Sequence, residues 1–258
     1  MRRTGAIAAA QREQQMKAIV VVPTYNERQN LESLVTEIRR QPGNLHILIV
    51  DDSSPDGTGA IADRLSADFP NEIRVMHRPE KEGLGLAYVA AFQYVLKLEY
   101  DVIFQMDADL SHRPDYLPDL LQAIGTNDLV IGSRYLPGGN VVNWDFKRMI
   151  LSKLATRYVQ LITGMPFSDA TSGFKCWRRE TLEAIDFDRV FSNGYLFQIE
   201  MSCQAHRMHF RIAEVPIIFY ERNFGRSKID FSIILEALFG VIRLRLRRRP
   251  ERPTSAAG

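Results

Sequence analysis

Short aliphatic runs alternate with amphipathic segments along the first half of the chain. Four apolar runs bounded by polar or turn-forming residues predict buried strands: residues 17–23, 45–50, 73–77 and 101–106. Apolar residues at helical spacing predict helices between them: residues 24–40, with Thr24 or Asn26 as its cap, 58–69 and 83–97. Strand followed by helix in successive units predicts an α/β fold, with a mostly parallel central sheet flanked by helices on both faces.

The second half of the chain continues this pattern less regularly. Further strands are predicted at residues 128–132, 174–177 and 211–220, and further helices at residues 147–162, 180–185 and 196–206. Since no internal repeat or low-complexity linker interrupts the chain, residues 17–230 are interpreted as one domain. The ends, residues 1–16 and 250–258, are interpreted as tails.

Composition narrows the class of protein. The chain has 258 residues, of which 45% are hydrophobic and 25% charged, which excludes a disordered or collagen-like protein. Lys and Arg number 33 against 31 Asp and Glu, so the total charge gives no reason to expect a nucleic-acid partner. Two distant cysteines, Cys176 and Cys203, do not form a disulfide framework. No apolar run approaches the ~20 residues of a membrane-spanning helix.

Acidic residues follow three of the predicted strands. They are Glu27 after the first strand, Asp51 and Asp52 after the second, and Asp107 and Asp109 after the fourth. Ligands of parallel sheets bind at the carboxyl ends of strands, so these side chains mark a candidate site. Two carboxylates at positions i and i+2 can hold a hard divalent cation that also binds phosphate oxygens. A single Asp-x-Asp is equally typical of a solvated turn, and the recurrence in successive units favours the site.

The chain resembles the family-2 inverting glycosyltransferases, and among them the dolichol-phosphate (polyprenol-phosphate) mannose synthases. The resemblance covers about residues 17–239 and rests on the strings VVVPTYNERQNL, ILIVDDSSPDGT, EGLGLAY, IFQMDADLSHRPDYLP, VIGSRY, SDATSGFKCWRRE and VPIIFYERNFGRSK. The first two are shared across many family-2 enzymes. MDADLSH, then GSRY and a late ER-x-x-G-x-SK, is more specific to the polyprenyl-phosphate branch.

This resemblance implies a GT-A fold, a GDP-mannose donor and Mg²⁺ or Mn²⁺ held by Asp107 and Asp109. The resemblance also implies catalytic roles for Asp107, Asp109 and Arg134. The implied nucleotide-sugar site comprises Pro23, Tyr25, Glu27, Val50, Asp52, Asp107, Ala108, Asp109, Arg134, Arg222 and Lys228. Ser111 stands where some relatives have a glutamine metal ligand, so the preferred cation stays open.

The implied acceptor is a polyprenyl monophosphate. A phosphomonoester is already largely ionised near pH 7, so it needs positioning rather than a general base. The residues that match the acceptor-phosphate site are Arg134, Arg148, Ser152 and Arg222, with Arg148 and Ser152 on one helix face. The alternative for Arg148 is a solvated helix arginine. In-line attack on the anomeric carbon would invert it and give a β-linked product.

Three alternative functions remain open as hypotheses. The same chemistry with UDP-glucose would keep the fold and change the donor pocket. Transfer to a sugar hydroxyl needs a base, for which Asp169 is the candidate, although a turn cap is the favoured role of that residue. An inactive nucleotide-sensing protein is disfavoured by the intact Asp107 and Asp109. Met208 stands where processive family-2 synthases have tryptophan, which argues against a polymerase.

The C-terminal segment combines an apolar half with a basic end. Residues 231–249 read FSIILEALFGVIRLRLRRR, which predicts an amphipathic helix at an anionic membrane surface or a packed helix with a solvated basic tail. A lipid-phosphate acceptor requires the enzyme to reach that surface. We therefore expect peripheral association with the cytoplasmic face of a membrane and a separate membrane-spanning partner subunit.

Overall fold

The computed structural model describes residues 16–143, 146–221 and 231–247, without the side chains of residues 146, 147 and 231–237. The strands are β1 (Ala18–Thr24), β2 (Leu45–Asp51), β3 (Ile73–His77), β4 (Val102–Gln105), β5 (Leu129–Ser133), β6 (Asn140–Val142), β7 (Lys175–Arg178), β8 (Ile212–Pro216) and β9 (Ile218–Tyr220). The α-helices are α1 (Leu31–Arg39), α2 (Thr58–Asp68), α3 (Leu84–Val95), α4 (Leu117–Ile124), α5 (Phe146–Thr163), α6 (Arg179–Glu183), α7 (Gly194–Arg207) and α8 (Phe231–Leu246).

The central sheet has seven strands in the order β3-β2-β1-β4-β7-β5-β8. All neighbours are parallel except β7, which runs antiparallel to both β4 and β5. The predicted mostly parallel sheet is therefore confirmed, with one reversed strand. β6 and β9 form a separate parallel pair. The carboxyl ends of β1, β2 and β4 lie together at one edge of the sheet, which brings their acidic residues into one region.

Both faces of the sheet are covered, as the aliphatic strands require. In β1, Ile19 and Val21 pack into the core beneath α3 and α7, while Val20 and Val22 pack into the core beneath α1, α2 and α4. A strand buried on both faces reads as a continuous apolar run rather than an alternating one. This burial explains the sequence KAIVVVP.

Two local expectations were wrong. The first helix begins at Leu31 and is capped by neither Thr24, which ends β1, nor Asn26, which has a left-handed φ of 61°. Instead the carbonyl of Glu27 accepts the N–H groups of Asn30 and Leu31. The strand predicted at 211–220 divides into β8 and β9, because the chain crosses from β5 to β6 between them.

The C-terminal helix α8 is packed against the domain. Val241 and Leu244 are buried, and a side chain at Gly240 would collide with Leu196 of α7. Arg207 donates hydrogen bonds to the carbonyls of Leu244 (2.7 Å) and Arg245 (3.0 Å). Within the described ranges, no helix is long and apolar enough to cross a bilayer.

Candidate active site

Two cavities adjoin at the carboxyl ends of the strands and share Asp107 and Asp109 in their walls. The first, which we call the strand-end cavity, has a volume of about 220 Å³. It brings together seven of the predicted site residues: Pro23, Tyr25, Glu27, Asp52, Asp107, Ala108 and Asp109. The second, the helix-lined cavity, has a volume of about 190 Å³ and holds Arg134, Arg148 and Ser152. Apart from Asp107 and Asp109, which border both cavities, and Arg134, which was predicted for both substrates, the lining residues predicted for the nucleotide sugar and for the acceptor lie in different cavities.

A buried ion-pair network orients the acidic group of the strand-end cavity. Asp52 is nearly inaccessible, and its carboxylate pairs with Arg78, whose guanidinium also reaches Glu82. An oriented, buried carboxylate can accept N–H or hydroxyl donors of a base or a ribose. In the lining of the same cavity, the Lys81 ammonium lies 3.6 Å from the centroid of the Tyr25 ring. Arg78 was missed in the sequence, since no motif links it to Asp52.

Val50 occupies a different place from the other predicted nucleotide residues. Its side chain is fully buried in the sheet core, and its carbonyl lies 3.4 Å from the Thr24 hydroxyl. Glu27 lines the strand-end cavity and accepts a 2.7 Å hydrogen bond from the Asn30 amide.

Asp107 and Asp109 form the boundary between the cavities. Asp109 accepts hydrogen bonds from the backbone N–H (3.1 Å) and the hydroxyl of Ser111. Ser111 therefore orients Asp109, which is a role the sequence did not reveal. The Tyr88 hydroxyl lies 3.5 Å from Oδ1 of Asp107. A Cβ at position 173 would lie 3.1 Å from Oδ2 of Asp107, so Gly173 keeps space around that oxygen. The oxygen donors and this space fit a hard divalent cation.

Two neighbours of Asp107 are held in their neutral forms. Burial lowers the pKa of His112 more than the carboxylates of Asp107 and Asp109 raise it. Its Nδ1 accepts the backbone N–H of Asp107 at 3.4 Å. Burial, followed by the charge of Asp107, places the pKa of Tyr88 well above its ordinary value. Tyr88 therefore keeps its hydroxyl proton and can donate a hydrogen bond to the carboxylate of Asp107.

Arg134 and Asp169 form a bidentate ion pair. The guanidinium donates to both carboxylate oxygens at 2.6 and 2.7 Å, and the backbone N–H of Arg134 adds a third bond at 3.1 Å. Asp169 is fully buried; burial acts to raise its pKa, but the charge and hydrogen bonds of Arg134 outweigh this and hold the pKa below its ordinary value. Asp169 therefore anchors Arg134 instead of capping only its own turn, and it is poorly suited to act as a base.

Arg148 and Ser152 face the helix-lined cavity from α5. Arg148 Nη1 donates to Glu221 Oε1 at 2.7 Å, and the Tyr135 hydroxyl donates to Ser152 Oγ at 2.6 Å. Arg148 is mostly buried, so the alternative of a solvated helix arginine does not hold.

The far wall of the helix-lined cavity is apolar. Helices α5, α7 and α8 contribute Leu151, Ala155, Val159, Ile199, Leu238 and Val241. One space therefore joins two arginines and three carboxylates, those of Asp107, Asp109 and Glu221, to a hydrocarbon-like wall. Such a space can offer a guanidinium to the head and an apolar surface to the tail of an amphipathic ligand. This wall forms only where three helices that are distant in sequence meet, so no local sequence pattern predicted it.

Two residues of the predicted site, Arg222 and Lys228, lie outside the described residues.

Comparison with known proteins assigns the chain to a family. The model of glycosyl transferase family 2 matches residues 19–186. Polyprenol monophosphomannose synthase of Mycolicibacterium smegmatis is 47% identical over 237 residues, which are 92% of this chain and 89% of that protein. Undecaprenyl-phosphate mannosyltransferase of Micrococcus luteus is 44% identical over 236 residues, 92% of this chain and 97% of the relative.

Solved structures share the fold at low sequence identity. Glucosyl-3-phosphoglycerate synthase of Mycobacterium tuberculosis, in complex with Mn²⁺, UDP and glucosyl-3-phosphoglycerate, superposes with a TM-score of 0.65 at 19% identity. The match covers 96% of this chain and 84% of that chain. The architecture is the predicted GT-A fold.

Proposed function

This chain belongs to glycosyl transferase family 2, and from that premise we propose that it transfers mannose from GDP-mannose to a polyprenyl monophosphate. The observation that carries the proposal is the helix-lined cavity, which joins Arg134 and Arg148 to an apolar wall beside Asp107 and Asp109. The two mannosyltransferase relatives support the same acceptor class by their names.

The donor occupies the strand-end cavity in this proposal. Asp52 and Glu27 accept hydrogen bonds from guanosine, Tyr25 and Pro23 contact its rings, and the diphosphate lies towards Ala108 and Asp109. Asp107 and Asp109 would hold Mg²⁺ or Mn²⁺, which supplies positive charge to the departing diphosphate. Arg222 and Lys228 are proposed as further phosphate contacts, and Arg222 also as an acceptor contact.

In this proposal the acceptor phosphate lies in the polar end of the helix-lined cavity, beside Arg148, Ser152 and Arg134. Its oxygen attacks the anomeric carbon in line with the departing GDP, so the configuration inverts. Because the attacking oxygen is already ionised, no base is needed. This agrees with the pairing of Asp169 to Arg134, which leaves that carboxylate committed elsewhere.

Peripheral binding to the cytoplasmic face of a membrane, with a separate membrane-spanning subunit, remains part of the proposal. Exposed apolar side chains flank the helix-lined cavity on α5 and α8, among them Leu154, Leu161 and Phe239. Deleting α8 would expose the core around Val241, so point substitution is the better test. Sedimentation with anionic vesicles should fall at least tenfold for Leu154→Asp combined with Phe239→Asp, since each leucine-sized side chain contributes ~1.5–3 kcal/mol when buried. Unchanged sedimentation would contradict membrane contact through these helices.

Transfer of label from GDP-mannose into organic-extractable lipid tests the reaction. UDP-glucose runs in parallel, a short polyprenyl phosphate is the acceptor, and Mg²⁺, Mn²⁺ and no metal are compared. We expect metal-dependent transfer from GDP-mannose alone. Transfer only from UDP-glucose would overturn the donor, and absence of any lipid product would overturn the acceptor.

Paired arginine variants locate the acceptor phosphate. Arg148→Ala should raise the acceptor KM by ten- to hundredfold and leave GDP affinity unchanged, because a charge-assisted hydrogen bond is worth ~1.5–3 kcal/mol. Arg157→Ala is the matched control, since Arg157 lies exposed on the same helix and bonds only weakly to Gln160 (3.4 Å). Equal effects of the two variants would contradict the assignment of Arg148.

A further inference from the structure

Two segments that are distant in sequence are joined through the side chain of Asn193. Residues 81–85, which form the loop before α3 and the first two residues of that helix and are called the loop below, meet residues 192–194 at the start of α7. Asn193 Oδ1 accepts the backbone N–H groups of Gly85 (2.7 Å) and Gly194 (2.9 Å). Its Nδ2 donates to the carbonyl of Glu82 at 3.0 Å. One side-chain amide thus fastens the loop at two points.

The glycines of the loop permit this close approach. Gly83 has a φ of 105°, and a Cβ there would collide with the Asn193 amide. A Cβ at Gly85 would lie 2.7 Å from the carbonyl oxygen of Ser192. The EGLG sequence does not match a dinucleotide-binding fingerprint. Its glycines instead allow the loop to approach the backbone of Ser192 and Asn193 closely.

The other side of the contact is braced from within α7. The fully buried Glu200 accepts the backbone N–H groups of Phe191 (3.3 Å) and Ser192 (3.1 Å), and also the Ser192 hydroxyl. Asn193 follows directly on this fixed pair. The loop is thus hydrogen-bonded to a segment that α7 itself holds in place.

Each segment also lines one of the two cavities. The loop contributes Lys81, Gly83 and Leu84 to the strand-end cavity, whereas α7 contributes Tyr195 and Ile199 to the helix-lined cavity. We propose that Asn193 is a positioning residue that couples the cavities, so that filling one changes the affinity of the other. This inference rests on the proposed function only in taking both cavities as substrate sites.

Asn193→Asp separates coupling from helix capping. Aspartate caps helices as well as asparagine does, and it keeps an acceptor for Gly85 and Gly194. The aspartate side chain cannot donate a hydrogen bond to the Glu82 carbonyl. It places a carboxylate oxygen next to that carbonyl oxygen instead, and the two oxygens repel each other. Because one hydrogen bond to the loop is lost, we expect the donor KM to rise about five- to thirtyfold and kcat to change less than threefold. The melting temperature should fall by about 2–8 °C.

The coupling itself is measured by calorimetry. GDP and UDP are titrated into the full chain with and without saturating farnesyl phosphate, which is also titrated alone. In wild type we expect farnesyl phosphate to change nucleotide affinity about fivefold or more, a typical coupling between sites. In Asn193→Asp that ratio should fall to one. Asn127→Ala is the control, because Asn127 caps a helix end by bonding to Ala123 (2.7 Å) and lines neither cavity.

The outcomes distinguish this inference from the proposed function. A wild-type ratio of one, or an unchanged ratio in Asn193→Asp, overturns the coupling. A wild-type protein that binds UDP and not GDP overturns the proposed donor, while the Asn193 comparison proceeds with UDP. Equal loss of donor affinity in the Asn127 and Asn193 variants would indicate that Asn193 serves only as a structural helix cap.

Discussion

Asparagine in place of Asp169 removes one charge from a buried ion pair with almost no change in shape. Arg134 is 7% exposed and Asp169 is fully buried, and two hydrogen bonds of 2.6 and 2.7 Å join them. Burial alone would lower the pKa of Arg134, but Asp169 more than compensates, and the pKa is raised. The guanidinium therefore remains charged in the variant and has lost its counter-ion.

The cost follows from the burial of the pair. Breaking a buried pair by neutralising one partner destabilises a protein by about 3–5 kcal/mol, because the other charge stays desolvated. In a chain of this size each kcal/mol lowers the melting temperature by about 2–4 °C, so we expect a fall of about 6–20 °C. Arg134→Gln combined with Asp169→Asn leaves a neutral hydrogen-bonded pair and should recover part of that loss.

Thermal and urea unfolding of wild type, Asp169→Asn, the double variant and the control Asp115→Asn measure this effect. The Arg113–Asp115 pair (2.8 Å) is exposed on both sides, and its loss should cost under ~1 kcal/mol. Because the Asp169 pKa is lowered on folding, the pair stabilises the protein above the unfolded pKa of about 3.9, and this stabilisation is lost as pH falls through the folded pKa. Asp169→Asn should lack that acid-dependent step. Wild-type stability together with abolished turnover would refute the reasoning and identify Asp169 as a base.

Three further predictions test other parts of the site. Burial lowers the pKa of Lys175 to about 7, so the unfolded chain binds one more proton than the folded protein between about pH 7 and 10. Wild-type stability in urea unfolding should therefore rise over this range relative to Lys175→Met, by at most ~1.4 kcal/mol per pH unit. Parallel pH profiles of the two proteins would contradict this. Arg78→Met should weaken GDP binding by ten- to hundredfold in calorimetry, since Asp52 loses its charged partner, and unchanged affinity would exclude Asp52 from the nucleotide site. Gly173→Ala should raise the Mn²⁺ concentration for half-maximal activity several-fold without changing the melting temperature, because the new Cβ crowds Asp107; an unchanged metal requirement would argue against Asp107 as a ligand.

Much of the fold could be predicted because burial leaves a pattern in the sequence. The aliphatic run of β1 and the helical spacing of Leu31, Leu34 and Ile38 report which faces are covered. The acidic ends of β1, β2 and β4 could be placed together by topology alone, since parallel strands present their carboxyl ends at one edge.

Other features depend on contacts that no local pattern records. β7 is inserted antiparallel between β4 and β5, and its sequence KCWR is too short to reveal direction. Arg78 lies 26 residues from Asp52, and Asn193 lies 108 residues from Gly85, so both pairings arise only from tertiary packing. The packing of Val241 and Leu244 likewise separates a docked α8 from a free amphipathic helix, two readings that the sequence left open.

The two arginines of the helix-lined cavity differ in how readily their carboxylate partners can be replaced by another anion. Arg134 is bound to a carboxylate that water does not reach, so displacing Asp169 would strand a buried charge. Arg148 is bound to Glu221, whose side chain is 37% exposed and can turn into solvent at little cost. If the proposed acceptor binds here, its phosphate would therefore replace Glu221 on Arg148, whereas Arg134 would stay paired with Asp169. Both arginines are thus paired with carboxylates, and only the partner of Arg148 can readily be replaced by another anion.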